Sequence, residues 1–329
     1  MKILLTGGTG FIGSHTAVEL IEKGHTVEIL DNLKNSKITV IDSIEKITGK
    51  RPAFYQIDLL GKEKVDQLFK EHHYDAVIHF AGLKVVTDSI EQPLEYYRTN
   101  LLSTLNLLSA MKENSVKNLI FSSSANVYGV QNKSKFTEED TAGIGITNPY
   151  GQTKYMIEQI LKDFSIANPD FNITILRYFN PIGVHSSGFL GENPNNTPNN
   201  LMPIIVKAYT GEIPELMIFG DDYDTPDGTG MRDFIHVVDL ARGHVAAADN
   251  LHPGVSIYNL GTGKPTSVME LVKCFEKISG KSLPYKIAPR RPGDLSVCYA
   301  DPTKAERELG WKATLTVDDA IRDILNYLA

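Results

Sequence analysis

The sequence predicts an α/β fold: a doubly wound parallel sheet with helices on both faces, followed by a smaller α/β unit. Three observations predict it. A strand pattern, Lys2 to Thr6, runs directly into Gly7-Gly8-Thr9-Gly10-Phe11-Ile12-Gly13. A helical pattern over Ser14–Lys23, stopped by Gly24, then leads to a second strand, Thr26–Leu30, closing on Asp31. Strand-like and helical segments keep alternating as far as Arg177, the signature of a parallel sheet covered on both sides. A glycine turn between the first strand and helix makes the first unit Rossmann-type.

The remaining elements follow in order. Ala53–Ile57 is a strand ending on Asp58, and Ala76–Phe80 is one ending on Ala81-Gly82. Leu94–Glu113 has a long helical period, Asn118–Phe121 is a strand running into Ser122-Ser123-Ser124, and Tyr150–Ala167 is a helix before strand Ile173–Arg177. Residues 186–200, rich in Gly, Asn and Pro, predict a loop that serves as lid or crossover. Leu201–Tyr209 reads as helix, Leu216–Phe219 as a short strand, and Asp221–Gly230 as an acidic loop. Phe234–Asn250 is strand then helix, Ser256–Leu260 a strand, and Val268–Ile278 and Val317–Leu328 are helices. The expected division is residues 1–180 with a returning segment, about 234–262, as a dinucleotide-binding domain. Residues 181–233 and 263–329 form the second domain.

At 329 residues, 42% hydrophobic and 22% charged, the chain has the size of about two globular domains. A net charge of −7 argues against a nucleic-acid surface, and Arg290-Arg291 reads as a local anion site. Cys274 and Cys298 form neither a disulfide framework nor a metal spacing and suit a reducing cytoplasm. The nine histidines show no ligand spacing, so no metal is expected. The opening apolar run of three residues is too short for a signal peptide or a membrane span.

The chemistry is concentrated at predicted strand ends. Gly7, Gly10 and Gly13 allow a tight turn, backbone approach to a pyrophosphate and close helix packing, while the helix N-terminus offers free N–H groups to phosphate. Asp31 can accept from ribose hydroxyls and repels a 2′-phosphate, which favours NAD over NADP. Asp58, Gly82 and Ser124 lie at further strand ends, where such sheets bind ligands. Tyr150 and Lys154 are four apart, hence on one helix face. An ammonium beside the phenol is expected to lower its pKa, making Tyr150 a general base and Ser124 its hydrogen-bonding partner.

These residues together resemble the extended short-chain dehydrogenase/reductase superfamily. More narrowly, Asp31-Asn32-Leu33-Lys34-Asn35-Ser36, Val77-Ile78-His79-Phe80-Ala81-Gly82-Leu83-Lys84 and Arg177-Tyr178-Phe179-Asn180-Pro181 resemble the UDP-glucose 4-epimerase family. Asn199-Asn200-Leu201-Met202-Pro203, Gly228-Thr229-Gly230-Met231-Arg232-Asp233 and Arg290-Arg291-Pro292-Gly293-Asp294 extend the resemblance almost end to end.

The resemblance implies that a resident NAD⁺ takes a hydride from C4 of a UDP-hexose while tyrosinate Tyr150 takes the 4-OH proton. The transient 4-keto sugar turns over in the pocket and recovers the hydride on its other face. Lys154 would lower the Tyr150 pKa and hold the nicotinamide ribose, and Ser124 would align the proton. It also implies cofactor contacts from Phe11, Ile12, Asn32, Asn35, Ser36, Leu59, Phe80, Ala81, Lys84, Asn100 and Phe179, beside the glycines, Asp31, Asp58 and Gly82. Asn180, Asn200, Leu201, Phe219, Arg232, Arg291 and Asp294 would hold the UDP, with the arginines pairing to its phosphates and Phe219 facing uracil. Lys84, Ser124, Asn126, Tyr150 and Cys298 would border the hexose. Pairing of the Leu94–Glu113 and Tyr150–Ala167 helices with a second copy would give a homodimer built on a four-helix bundle.

The sequence departs from the family pattern at Asn126, at Phe234, in Val85–Asp88 and in Leu102–Thr104. Cys298 aligns with the gate beside the hexose 2-position, where a small residue leaves room for an N-acetyl group. Both plain and N-acetylated UDP-hexoses are therefore expected substrates. A 4-epimerase dedicated to N-acetylated or uronate sugars is the alternative. A 4,6-dehydratase would need an Asp-Glu pair where Ala125-Asn126 stands. An NAD-binding regulator could dispense with Tyr150 and Lys154.

Overall fold

The computed structural model describes residues 1–192, 200–291 and 293–329. The first half contributes β1 (Lys2–Thr6), α1 (Phe11–Glu22), β2 (Thr26–Asp31), α2 (Thr39–Thr48), β3 (Ala53–Gln56) and α3 (Lys62–Glu71). Next come β4 (Ala76–His79), α4 (Val86–Glu91), α5 (Pro93–Glu113), β5 (Asn118–Ser124), β6 (Lys135–Phe136), α6 (Pro149–Ala167) and β7 (Asn172–Tyr178). Then follow β8 (Asn180–Ile182), α7 (Leu201–Thr210), β9 (Leu216–Phe219), β10 (Met231–Arg232), β11 (Phe234–His236), α8 (Val237–Asp249) and β12 (Gly254–Leu260). The chain closes with β13 (Thr266–Ser267), α9 (Val268–Ser279), β14 (Tyr285–Ala288), β15 (Val297–Ala300), α10 (Thr303–Leu309) and α11 (Val317–Leu328).

Seven strands form one sheet in the order β12-β7-β5-β4-β1-β2-β3, with every neighbouring pair parallel. The order reverses between β1 and β4, creating the crevice where open α/β sheets bind ligands. Ile3, Leu5, Ile29, Ile78 and Ile120 point into one core beneath α1 and α8, whereas Leu4, Val77, Leu119 and Ile173 point into a second beneath α3, α5 and α6. Such two-sided burial requires nearly continuous apolar strands, as the sequence has.

The rest of the chain builds a separate core from α7, α9, α11 and β9, including Ile205, Ile218, Leu271, Phe275 and Ile324. Its strands make small sheets, β14 with β9 and β13-β10-β15-β6. Because β6 comes from the first half, the second sheet draws Arg232 and Cys298 toward the carboxyl end of β5. Among the described residues, no helix is long and apolar enough to cross a membrane. The expected loop at 186–200 falls partly outside the described residues, which omit 193–199.

One expectation is corrected. Helix α1 begins at Phe11 rather than Ser14, because Gly10 is its N-cap and the turn passes directly into helical geometry. Asp233, although next to Arg232 in the chain, makes its hydrogen bonds elsewhere. It is fully buried and accepts from Thr262 N (2.8 Å), Thr262 Oγ1 (2.6 Å), Gly263 N (3.0 Å) and Ala300 N (3.1 Å). Asp233→Ala would strand these donors and should destabilise the fold by about 3 kcal/mol, measured by urea denaturation. An unchanged midpoint would show that Asp233 does not hold these loops.

Candidate functional site

A cavity of about 390 Å³ opens over the carboxyl ends of β1, β2 and β4, within the usual range for small-molecule sites. Gly7, Gly10, Phe11, Ile12, Gly13, Asp31, Asn32, Asn35 and Ser36 line one end. Asp58 and Leu59 flank it, and Phe80, Ala81, Gly82, Lys84, Tyr150 and Lys154 line the other end.

The turn is a cradle that only glycine can build. A Cβ on Gly13 would lie 2.6 Å from the Gly7 carbonyl oxygen, and one on Gly7 would lie 2.7 Å from Ala81 N. A Cβ on Gly10 would meet only Gly7 O, at 3.2 Å, and would otherwise project into the cavity. Asp31 is buried and oriented by Thr9 N (3.2 Å), Leu33 N (2.9 Å) and Ser36 Oγ (3.2 Å). Bare N–H groups at a helix start, a turn without side chains and a fixed carboxylate fit a dinucleotide with free ribose hydroxyls.

At the far end, α6 starts where β5 stops. Asn148 caps it by accepting from Gly151 N at 2.8 Å. The Tyr150 hydroxyl lies close to Ser124, whose Oγ accepts from Asn126 Nδ2 at 3.0 Å and Asn126 N at 3.2 Å. Lys154 is buried, donates from Nζ to the Ser122 carbonyl at 2.6 Å and stands 4.8 Å from the Phe121 ring centroid.

The expected depression of the Tyr150 pKa by Lys154 is not what this arrangement produces. Burial pushes the phenol above its ordinary value, only partly offset by Ser124. Burial likewise pushes the Lys154 ammonium down to about 8, against a smaller upward pull from Glu158. The lysine directs one of its three N–H donors to the Ser122 carbonyl, so helix spacing alone did not decide where its charge points.

Two residues expected at the cofactor lie behind the cavity wall. Asn100 is buried and donates to Leu83 O (3.1 Å) and Thr153 Oγ1 (2.9 Å) while accepting from Leu83 N (2.8 Å). Phe179 packs with Val127, Tyr128 and Phe136. Conversely Thr9, Ser122, Tyr96 and Tyr178 line the cavity without having been singled out. Tyr178 was within reach of inference, since it ends its strand as Ser124 ends β5.

Of the residues expected at the nucleotide and hexose, Lys84 and Tyr150 line this cavity, Ser124 and Asn126 stand at the end of β5 beside it, and the others lie on the C-terminal side. Arg232 approaches Asp294 at 3.6 Å and sits beside Cys298 in the β10–β15 pair. The Arg291 guanidinium lies 4.0 Å from the Phe219 ring centroid, covering the face expected to meet uracil. Asn126, Asn180 and Asn200 are exposed, and Leu201 packs at the edge of the C-terminal core. Gly293 brings this loop against Thr147, just ahead of α6, because a Cβ there would lie 2.9 Å from Thr147 Cγ2. Pro292 lies outside the described residues.

Residues 3–261 match the model of the NAD dependent epimerase/dehydratase family. A UDP-glucose 4-epimerase from Bacillus subtilis is 52% identical over 325 residues, 98% of this chain and 95% of that protein. The chain belongs to this family, in its UDP-glucose 4-epimerase branch. The crystal structure of the Bifidobacterium longum UDP-glucose 4-epimerase, in complex with NAD⁺ and UDP, superposes with a TM-score of 0.96 at 52% identity. It covers 99% of this chain and 98% of its own. The UDP-Glc/GlcNAc 4-epimerase of Campylobacter jejuni is similar at 35% identity, with a TM-score of 0.87, covering 99% and 98% of the two chains.

Lys154 binds its proton less tightly in the folded chain (about 8) than in the unfolded one (10.5). Between these values the unfolded state carries the extra proton, so this residue makes stability rise with pH across that window. Lys154→Met should therefore raise the melting temperature at pH 7, with the gain shrinking from about pH 8 to 10.5. Thermal denaturation across that range checks this, and a gain independent of pH would refute it.

Proposed function

We propose that this chain is an NAD-dependent isomerase that inverts C4 of UDP-hexoses, interconverting UDP-glucose and UDP-galactose. The observation that carries the reading is the position of Tyr150. Its side chain, close to Ser124, borders the same cavity as the glycine turn and Asp31. Similarity to UDP-glucose 4-epimerases over almost the whole chain supports it.

Gly7, Gly10, Gly13 and the start of α1 would hold the dinucleotide pyrophosphate, Asp31 the adenosine ribose, and Lys154 the nicotinamide ribose. When bound, NAD⁺ would supply the hydride acceptor and donor, and a positive ring that favours the Tyr150 phenolate. Tyr150 removes the 4-OH proton and later returns it, with Ser124 aligning the hydroxyl. One proton and one hydride leave the sugar and both come back, so there is no net redox change. Arg232 and Arg291 would grip the diphosphate and Asp294 the uridine ribose, leaving the hexose free to present either face.

On this reading residues 1–180 and 234–262 bind the dinucleotide, and 181–233 with 263–329 bind the UDP-sugar. Free Cys274 and Cys298 suit a reducing cytoplasm. Leu94, Leu102 and Leu105 on α5 and Ile166 on α6 are exposed, which supports pairing of these helices with a second copy.

Tyr150→Phe should fold and retain nicotinamide absorbance while losing turnover of UDP-galactose by about 10²–10⁴-fold. Retained turnover would end the general-base assignment. Cys298 is small, half-buried and beside Arg232, which favours acceptance of N-acetylated sugars as well. The chain should therefore epimerise UDP-GlcNAc, and Cys298→Tyr should cut that rate at least about tenfold while sparing UDP-galactose. Absent UDP-GlcNAc turnover, or rates unmoved by the substitution, would refute this extension.

A further inference from the structure

Tyr150, Lys154 and Glu158 are spaced four apart and form one stripe of α6. Opposite them stand the three consecutive serines that end β5, two of them hydrogen-bonded to the stripe and the third close to its first member. Ser124 meets the Tyr150 hydroxyl, the Ser122 carbonyl accepts from Lys154 Nζ at 2.6 Å, and Ser123 Oγ donates to Glu158 Oε1 at 2.6 Å. Glu158 is fully buried, and its carboxylate is gripped from the other side by Arg177 of β7. Arg177 Nη2 donates to Oε2 at 2.6 Å and Nε to Oε1 at 3.0 Å. Arg177 is anchored in turn, its Nη1 donating to Tyr128 OH at 3.0 Å, while that hydroxyl donates to Asn259 Oδ1 at 2.7 Å.

From this geometry we propose that Glu158 is a positioning residue for the Tyr150–Lys154 pair. It fixes the register of α6 on β5 and holds an anion one helical turn from the Lys154 ammonium. The inference rests on the function proposed above.

The groups facing Lys154 make Glu158 the source of that negative charge. Its own helix contributes Tyr150 and Glu158; β5 contributes only the Ser122 carbonyl and the Phe121 ring. From β4 comes His79, kept neutral by burial, its pKa pushed down to about 3. From β7 come Tyr178, held protonated by burial, and Arg177, already committed to Glu158. Of the Glu158–Arg177 pair, it is Glu158 that helps Lys154 keep its proton. A bidentate, desolvated carboxylate also resists rotation, so any shift of α6 along β5 that displaced Tyr150 would also have to break the bonds at 158.

Removing Glu158 alone would strand the buried Arg177 charge and could unfold the chain, so the test uses Glu158→Leu with Arg177→Met. Exchanging a buried ion pair for apolar residues of similar size is often tolerated. Melting, nicotinamide retention, and kcat and KM for UDP-galactose would be followed from pH 6 to 10. The Lys154 titration would be followed by NMR. The double variant is expected to keep its fold and cofactor. Its kcat should fall about tenfold at unchanged KM, because the base is misplaced. The alkaline limb and the Lys154 titration should both move to lower pH by about half a unit or more. Wild-type kcat, pH profile and Lys154 titration in a folded double variant would reduce Glu158 to a structural role and overturn the inference.

Should that variant not fold, Ser123→Ala carries the test, since it removes one bond to Glu158 and little volume. A kcat lowered about threefold at constant KM supports the proposal, and an unchanged kcat overturns it. Tyr150→Phe measured in parallel separates the two readings. Turnover surviving that change defeats the proposed function, whereas its loss beside a wild-type double variant defeats only the role of Glu158.

Discussion

An ammonium group carried into the interior is the constraint around which this molecule is arranged. Lys154 has left water, and its charge is tolerated because a carbonyl, an aromatic face and a nearby carboxylate stand in for the solvent it lost. Those partners come from β5 and α6 together, so the strand end and the helix start must sit at a set distance. Gly151 permits that closeness, since a Cβ there would lie 3.0 Å from Ile146 Cγ2 and 3.1 Å from Asn126 Cβ. The Asn148 cap and the Asn100–Thr153 bond hold the first turn of α6 from the other side.

The same packing that positions Tyr150 and Lys154 also shifts the charge balance of both. Burial raises the Tyr150 phenol, which loses a proton in the proposed reaction, and lowers the Lys154 ammonium, which keeps one. Both shifts oppose the charge states that proton transfer needs. A site built this way depends on what enters it: a cation beside the phenol and hydroxyls beside the lysine would restore the balance. The fold thus accepts unfavourable burial to gain an environment in which the filled site is electrostatically well defined.

Topology brings the two halves together. The reversal of strand order between β1 and β4 opens the crevice, and the approach of Gly7 to Ala81 shows how closely its walls are drawn. The C-terminal half could have stood apart, but β6, a two-residue strand from the first half, pairs with β15. Through β15 and β10 it sets Arg232 and Cys298 beside the end of β5. The contact of Gly293 with Thr147 adds a second tie. The residues proposed to grip a nucleotide on that side and those proposed to meet the reacting carbon on the other are thereby referred to one frame.

Much of this was legible in the sequence because local rules govern it. The glycine turn, the acid closing β2, the apolar strands of the parallel sheet and the Tyr150–Lys154 spacing express backbone sterics and helix periodicity, which act between near neighbours. The short strands β6, β8, β10 and β13 were not legible, since two or three residues carry no periodicity and form only where a partner edge awaits them. Nor did spacing reveal that Lys154 turns to Ser122, that Asp233 ignores Arg232 for residues 29 to 67 positions away, or that Arg291 covers Phe219. Sequence alone determined which chemical groups this protein owns and which lie on a common local face. Tertiary structure alone decided which of them spend their hydrogen bonds and charge on one another, because desolvation and long-range pairing exist only once distant segments have met.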